Sequence, residues 1–253
     1  LANSEASFEK RMTWLNPVYQ MYHLQPITFQ TMNDPVYDDL QMKETSKPIH
    51  EDIKVSVLLP AYNAGGGLRV AVDSILSQTW QNLELIIVDD CSTDDTFAIA
   101  QSYAEQDKRV IVRQTERNSG PYVARNIGLT IATGDYITVN DADDWSHEEK
   151  IAIQANHLHN HKQVIANTSA HARLTEELLF YRRGTPGRYI FPNMSSIMFR
   201  RQPVVEKLGY WDSVRFAADG EFKRRLLRVF GERAFVDLSS GPLSLPRQAV
   251  ASL

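Results

Sequence analysis

From Val55 onward the chain alternates short apolar runs with amphipathic stretches. Val55-Ser-Val-Leu-Leu59 is an almost unbroken apolar run ending at Pro60, the pattern of a strand buried on both faces. Gly65-Gly-Gly67 breaks the chain, and Leu68, Val72, Ile75 and Leu76 then recur at helical spacing. Leu83 to Val88 predicts a second strand, stopped by Asp89-Asp90. Ser92 to Asp95 predicts a helix start, with Phe97, Ala100 and Ala104 on the inner face. Val110-Ile-Val112 is a third strand. Pro121 suits the first turn of a helix carrying Ile127 and Ile131. Tyr136 to Val139 is a fourth strand, followed at once by Asp141-Ala-Asp-Asp144. Ser146 and Glu149 form a capping-box pattern for the next helix. Further on, Val164–Asn167 and Ser196–Phe199 are short strand candidates, and Glu221 to Phe230 is a helix closed by Gly231.

Strands alternating with helices predict an α/β fold with a mostly parallel central sheet flanked by helices. Ligands of such sheets bind beyond the carboxyl ends of the strands. Three polar clusters stand at those ends: Pro60-Ala-Tyr-Asn63, Asp89-Asp90 and Asp141 to Asp144.

Residues 1–50 read differently. Aromatic residues and Met are frequent (Trp14, Tyr19, Met21, Tyr22), strand signals are poor, and Pro17, Pro26, Pro35 and Pro48 interrupt any long helix. A short helix and an extended arm packed on the main domain are expected there; a hinge to an upstream domain is the alternative.

Composition narrows the classes. With 253 residues, 43% of them hydrophobic, the chain can bury a core without disulfides or a structural metal. A formal net charge of -4 gives no electrostatic case for nucleic acid as a partner. The single cysteine, Cys91, reads as a partly buried small hydrophobe, and low cysteine usage fits a reducing compartment. No run approaches the length of a spanning helix, and the first residues carry no signal-peptide core. The chain starts without Met and ends abruptly, which reads as a fragment of a longer protein. The seven histidines show no metalloprotease spacing and are expected at the surface.

The acidic clusters carry the candidate chemistry. In an extended segment Asp141 and Asp143 would point to one side, and hard oxygens at that spacing can hold Mg²⁺ or Mn²⁺. A solvated acidic turn is the bland alternative. Asp89-Asp90 either satisfies loop amides or accepts a hydrogen bond from a base N–H, and the pattern does not choose. Gly65-Gly-Gly67 lacks the ending of a P-loop, and no G-x-G-x-x-G occurs. Arg117, Asn118 and Arg125 flank the helix start at Pro121, a place suited to a diphosphate. Asp219-Gly-Glu221 opens the late helix; its acids either favour the helix dipole or supply a base for an attacking hydroxyl. Trp211 could stack on a sugar, with the core as the safer assignment. Arg182, Arg183 and Arg188 read as a solvated basic loop, with an acidic or lipid-phosphate acceptor as the alternative.

Six segments taken in order resemble the family-two glycosyltransferases of the GT-A fold. They are Val55 to Asn63, Ser74-Ile-Leu-Ser-Gln-Thr79, Leu85 to Asp94, Asn118 to Gly128, Gly134 to Asp144 and Ala218-Asp-Gly-Glu-Phe222. The resemblance spans about residues 54 to 240. It implies a GT-A type nucleotide-binding domain over 51–253, divided into a nucleotide-sugar half (51–145) and an acceptor-side half (146–253), with 1–50 as an N-terminal extension. It implies that Pro60, Tyr62 and Asp90 contact the nucleotide base, that Arg125 and Asp141 hold the rest of the nucleotide, that Asp143 binds a divalent metal (Mn²⁺ or Mg²⁺), and that Asp219 is the catalytic base. The family's usual Glu-Asp pair at this last place is Ala218-Asp219 here, which weakens the base assignment. The implied reaction is non-processive, inverting transfer of a sugar from a nucleotide-diphosphate donor, by resemblance UDP-linked, to a hydroxyl of a glycan, lipid-linked or other acceptor. A cytoplasmic place, with peripheral association at the inner face of the membrane left open, goes with that reading. A catalytically silent nucleotide-sugar-binding module and a nucleotidyltransferase are the competing readings.

Overall fold

A computed structural model describes residues 1–31, 33–43, 46–181 and 187–248. Arg182 and Arg183 of the basic loop lie outside the described residues; Arg188 is exposed, its guanidinium 4.9 Å from the Phe191 ring centroid.

The N-terminal arm consists of helix α1 (Phe8–Met21) and a small hairpin of β1 (Ile27–Phe29) and β2 (Leu40–Met42). Contrary to expectation, α1 runs through Pro17. A proline inside a helix costs about 3 kcal/mol or more. Met12, Leu15 and Tyr19 are buried along one face of this helix. At about 1.5–3 kcal/mol for each buried side chain, that face outweighs the lost hydrogen bond. The arm's buried side chains, Tyr37 among them, form a cluster with Trp145, Leu174, Leu243 and Leu245 of the main body. The Tyr37 hydroxyl donates to the Leu245 carbonyl and accepts from the Trp145 amide.

The body begins with a regular alternation: β3 (Val55–Ala61), α2 (Gly67–Leu76), β4 (Leu83–Asp89), α3 (Thr96–Gln106), β5 (Val110–Gln114), α4 (Pro121–Ile131) and β6 (Tyr136–Val139). It continues with β7 (Asp144–Ser146), α5 (Lys150–Asn160), β8 (Ala166–His171), β9 (Arg173–Leu174), β10 (Phe180–Tyr181) and β11 (Phe191–Pro192). The chain closes with β12 (Met198–Arg200), α6 (Arg201–Lys207), α7 (Ala218–Phe230) and the long β13 (Phe235–Pro246). Strands β9 and β10 pair with each other; the rest of the body's strands form one sheet in the order β5-β4-β3-β6-β12-β8-β13-β7, with β11 added to β8.

Alternating residues of β3 and β4 serve two cores. Val55, Val57, Leu59, Leu85 and Ile87 face α2, α3 and α5, whereas Leu58, Ile86 and Val88 face α4, α6 and α7. The chain steps outward from β3 to β5, then returns through α4 to β6 on the other side of β3. That reversal opens a crevice beyond the carboxyl ends of β3 and β6. Pro60 lies inside β3 rather than ending it. The Leu58 carbonyl accepts from the Asn140 amide, so residues of that parity face β6, and the β6 pairing stops at Leu58–Val139. The missing Pro60 N–H therefore points to a side with no partner strand.

Several local expectations are corrected. Ser146 and Glu149 make no capping box: Ser146 is the last residue of β7, and the side chain of the Glu149 N-cap accepts from the Gln25 amide rather than from an amide of α5. Ser146 is drawn instead into a buried trio, its hydroxyl donating to Asn140 Oδ1 at 2.7 Å and accepting from Lys150 Nζ at 3.0 Å. Helix α3 turns Ile99 and Ala100 inward and leaves Phe97 half-buried, outside the core clusters. Of the histidines, His147 is fully buried. Trp211 is core, stacked on Phe222 with ring centroids 4.6 Å apart.

Candidate active site

The crevice holds a cleft of about 580 Å³ lined by Pro60, Tyr62, Arg125, Asp141, Asp143 and Asp219 among others. An adjoining recess of about 150 Å³ is walled by Pro60, Tyr62, Asp90, Asn118, Gly120 and Arg215. The seven site residues expected from sequence thus come together at one end of the sheet.

Asp90 stands just past β4, nearly fully buried. Its carboxylate accepts from the Thr115 hydroxyl (2.9 Å), the Ser119 amide (3.0 Å) and the Gly120 amide (2.6 Å). Of the two readings of this acid, the satisfaction of loop amides is present. The Ser119 amide is shared with the second oxygen, also at 3.0 Å, so each oxygen of Asp90 already has two contacts and a base N–H would have to compete with this shared one. Gly120, the N-cap of α4, has φ +95°, and a Cβ there would lie 3.3 Å from Arg215 Cγ. Tyr62 is half exposed, its ring part of the wall of both cavities.

Helix α4 carries the centre of the site. It sits close on the sheet because residue 128 is Gly: a Cβ there would come within 3.1 Å of Leu58 Cδ2. One turn earlier, Arg125 is 3% exposed and bridges two acids. Its Nη1 donates to Asp219 Oδ1 and its Nη2 to Asp141 Oδ1, each at 2.8 Å. Burial opposes its charge, but Asp141 and Asp219 more than restore it. The Tyr122 hydroxyl donates to Asp219 Oδ2 at 3.0 Å. Asn126 and Trp211 exchange hydrogen bonds of 2.8 and 3.0 Å, Asn126 donating to the Trp211 carbonyl and accepting from its amide. Tyr122, Arg125 and Asn126 thereby tie the helix to the segment that leads into α7.

Burial raises the Asp219 carboxyl above its ordinary range, against the pull of Arg125. Its neighbour Ala218 is turned into the core, so the Asp faces the cleft without it. Glu221 does not reach the cleft: Arg225 holds it at 2.6 Å and lowers its pKa.

Asp141 and Asp143 are not in an extended segment. The Asp144 amide donates to the Asp141 carbonyl at 3.2 Å, a tight turn between β6 and β7. Both acids line the cleft, placed there by the turn rather than by strand alternation. Burial and Asp141 raise the Asp143 pKa, and burial with both acids pushes Asp144 well up. Behind them Lys150, fully buried, donates to Asn140 Oδ1 at 2.9 Å, with its pKa lowered to about 8 by burial. Among the described residues no three His, Cys, Asp or Glu side chains group closely enough to hold a metal. The donor set fits a cation held by one or two carboxylates and completed by substrate phosphates. Like-charged carboxylates held together with no side-chain donor on Asp143 are the arrangement such a cation would relieve.

Sequence reasoning missed Tyr122, Asn126, Lys150, Arg215 and Phe216. Tyr122 and Arg125 are three apart on a helix and share a face, which was a readable signal. Lys150 carried none, since a buried lysine has no mark in sequence. Arg215 and Phe216 lie in the loop before α7, where Ala217 takes a left-handed φ of +66°.

The sheet with its crevice at the reversal point has the GT-A fold of the glycosyltransferase structures it is similar to. The family model for glycosyl transferase family 2 matches residues 56–218, and the chain belongs to that family. Over 108 residues it is 45% identical to an uncharacterized glycosyltransferase of Haemophilus influenzae, a stretch covering 42% of this chain and 43% of that one. The chain therefore spans less than half the length of that relative. The fold is similar to that of S. aureus TarS 1-349 in complex with UDP, with a TM-score of 0.64 and 22% identity, covering 78% of this chain and 61% of that one. It is also similar to the mannosyltransferase PcManGT from Pyrobaculum calidifontis in complex with GDP-Man and Mn²⁺, with a TM-score of 0.60 and 17% identity, covering 83% and 60%. No helix among the described residues is long and apolar enough to cross a membrane.

Proposed function

We propose that this chain transfers a sugar from a UDP-linked donor to an acceptor hydroxyl with inversion, assisted by a divalent cation. The observation that carries this reading is Asp219. It is a carboxylate with a pKa raised by burial, in the same cleft as the Asp141–Asp143 turn. The UDP and Mn²⁺ complexes of the two similar structures support the donor and metal classes.

In this reading Pro60, Tyr62, Asp90 and Asn118 receive the base in the smaller recess, and Arg125 with Asp141 steadies the remainder of the nucleotide. Asp143 would hold the cation beside Asp141, and the cation when bound offsets the charge of the leaving diphosphate. Asp219 accepts the proton of the attacking hydroxyl, which a carboxylate of raised pKa does better than an ordinary one. Attack opposite the leaving group inverts the anomeric centre through an oxocarbenium-like transition state, as in glycoside hydrolysis. The chain's two halves, 51–145 and 146–253, supply donor and acceptor sides, with residues 1–50 as a buttress.

The test is transfer from a panel of UDP-sugars to simple saccharide acceptors, with Mn²⁺ or with EDTA. UDP release tied to product of inverted configuration, and lost in EDTA, is the expected result. Pyrophosphate release would assign a nucleotidyltransferase instead. Donor binding without turnover on any acceptor would assign a silent binding module.

A further inference from the structure

Both carboxylate oxygens of Asp219 are held from helix α4, by donors of different kinds. Arg125 Nη1 donates to Oδ1 at 2.8 Å and the Tyr122 hydroxyl donates to Oδ2 at 3.0 Å. The guanidinium is a fixed charge, and its pairing concentrates negative charge on Oδ1 and opposes protonation there. The phenol is neutral, and burial with the neighbouring Asp219 pushes its pKa up to about 12, so it remains a donor at any working pH. Oδ2 accepts one hydrogen bond from it and keeps a second lone pair.

We propose that Tyr122 is a positioning residue for the base, which turns Oδ2 of Asp219 toward the acceptor hydroxyl and makes Oδ2 the atom that takes the proton. The inference rests on the reading of Asp219 as base. In the step, the acceptor O–H bond breaks, its proton goes to Oδ2, and the oxygen's electron pair forms the bond to the anomeric carbon. The bond from that carbon to the diphosphate oxygen breaks, and its electron pair leaves with the nucleoside diphosphate. Tyr122 gives up no proton at any point.

Packing alone does not account for a tyrosine here. The ring is 7% exposed and lies beneath the Arg125 guanidinium, 5.0 Å from centroid to Cζ. A phenylalanine would fill that volume and support that cation equally well. What the tyrosine adds is one hydroxyl, and the hydroxyl is spent on Asp219. The contact also crosses between the two sides of the cleft, since Tyr122 is in the second residue of α4 and Asp219 in the second residue of α7. Without it, the carboxylate is fixed at one oxygen only and can swing about the Arg125 bond.

The test compares wild type with Tyr122→Phe, Asp219→Asn and the double variant in the same transfer assay. Tyr122→Phe should leave the donor Kd and the melting temperature close to wild type. It should lower kcat by on the order of tenfold to a hundredfold, the scale of a misplaced reacting group. The acid limb of its pH–rate profile should move to higher pH, because a hydrogen bond that favours the charged carboxylate is gone. The other groups facing Asp219, Arg125 from α4 and Asp141 from the turn after β6, are unchanged in this variant. The double variant should be no slower than Asp219→Asn alone, since the Tyr122 hydroxyl, which also meets the Asp219 backbone, serves catalysis through that carboxylate. A wild-type kcat in Tyr122→Phe overturns the proposal. So does a loss of donor affinity or melting temperature that parallels the loss of kcat, which makes the residue structural. Losses that multiply in the double variant overturn it as well, since Tyr122 would then act elsewhere. Turnover near wild type in Asp219→Asn removes the base assignment itself, whatever Tyr122→Phe does.

Discussion

His147 lies in the seam between the N-terminal arm and the sheet, and acid should open that seam. Its side chain is fully buried, its ring stacked on Tyr19 of α1 with centroids 5.4 Å apart. The Glu149 amide donates to Nδ1 at 3.2 Å, so Nδ1 is an acceptor and the proton sits on Nε2, 2.9 Å from the Gln25 carbonyl. Both nitrogens are satisfied only in the neutral ring. A second proton would break the Nδ1 bond and place a charge in an apolar seam, and burial lowers the pKa to about 4. The Glu149 carboxylate, 3.9 Å from Nδ1, does not offset this. The unfolded chain takes up the proton near pH 6.5 and the folded one only near pH 4, so the unfolded state binds more protons between those values. The contribution to stability is therefore full above about pH 6.5 and lost by about pH 4. At 1.36 kcal/mol per pH unit, it amounts to about 3 kcal/mol. The assay is urea unfolding from pH 7.5 down to pH 4 for wild type and His147→Phe, which keeps a ring in the stack but cannot titrate. All other titrations are common to both proteins and cancel in the difference. The stability gap should shift by about 3 kcal/mol in favour of the variant over that range; a gap independent of pH refutes the argument.

Three further expectations follow from the site. Asp143→Ala should abolish the dependence of donor affinity on Mn²⁺, read by thermal shift with and without the ion; an unchanged dependence assigns the cation elsewhere. Asp90→Ala removes the acceptor of three loop donors, each hydrogen bond to a charged group being worth about 1.5–3 kcal/mol. It should lower the melting temperature and weaken UDP binding together, and a weaker Kd at unchanged melting temperature would show that the loop does not depend on it. Lys150→Met removes the buried ammonium that donates to Asn140 Oδ1 and Ser146 Oγ and should cost on the order of 1–3 kcal/mol in urea unfolding; an unchanged or higher stability would mean that these hydrogen bonds do not offset the cost of burying the ammonium.

The parallel half of the fold was legible because β3 and β4 are buried on both faces and leave continuous apolar runs, and because Gly and Pro punctuate the helices. The candidate site was legible for a related reason: polar residues that follow such runs have to emerge at one end of the sheet. The arm was legible only as a short helix and a segment packed on the body; its hairpin was not, with strands of three residues each, nor was the passage of α1 through Pro17, which tertiary burial holds. Strand β7 was hidden because Asp144-Trp-Ser146 has one aromatic between two polar residues, too short a run to read, and is defined by pairing with β13, about a hundred residues away. The same long-range pairing disguised Ser146 as a helix cap and brought His147 inside. Local pattern reports burial on both faces well, but it does not report a contact with a segment distant in the chain.

The balance of charge in the cleft bears on how the donor arrives. Asp141, Asp143 and Asp219 line it against Arg125 and Arg215. Arg125 is already shared between Asp141 and Asp219, and among the described residues Asp143 has no side-chain donor. A bare nucleoside diphosphate would add negative charge beside these carboxylates. At an effective dielectric constant of about 20, each like-charged pair near 4 Å costs about 4 kcal/mol. In the proposed reading, a divalent cation carried with the diphosphate would cancel most of that cost and would make Asp143 a ligand in place of a repulsive group. The buried Lys150 cannot serve in its place, because its ammonium is committed to Asn140 and Ser146 on the far side of the turn. Donor and cation should therefore bind with strong positive coupling, each raising the affinity of the other by the same factor.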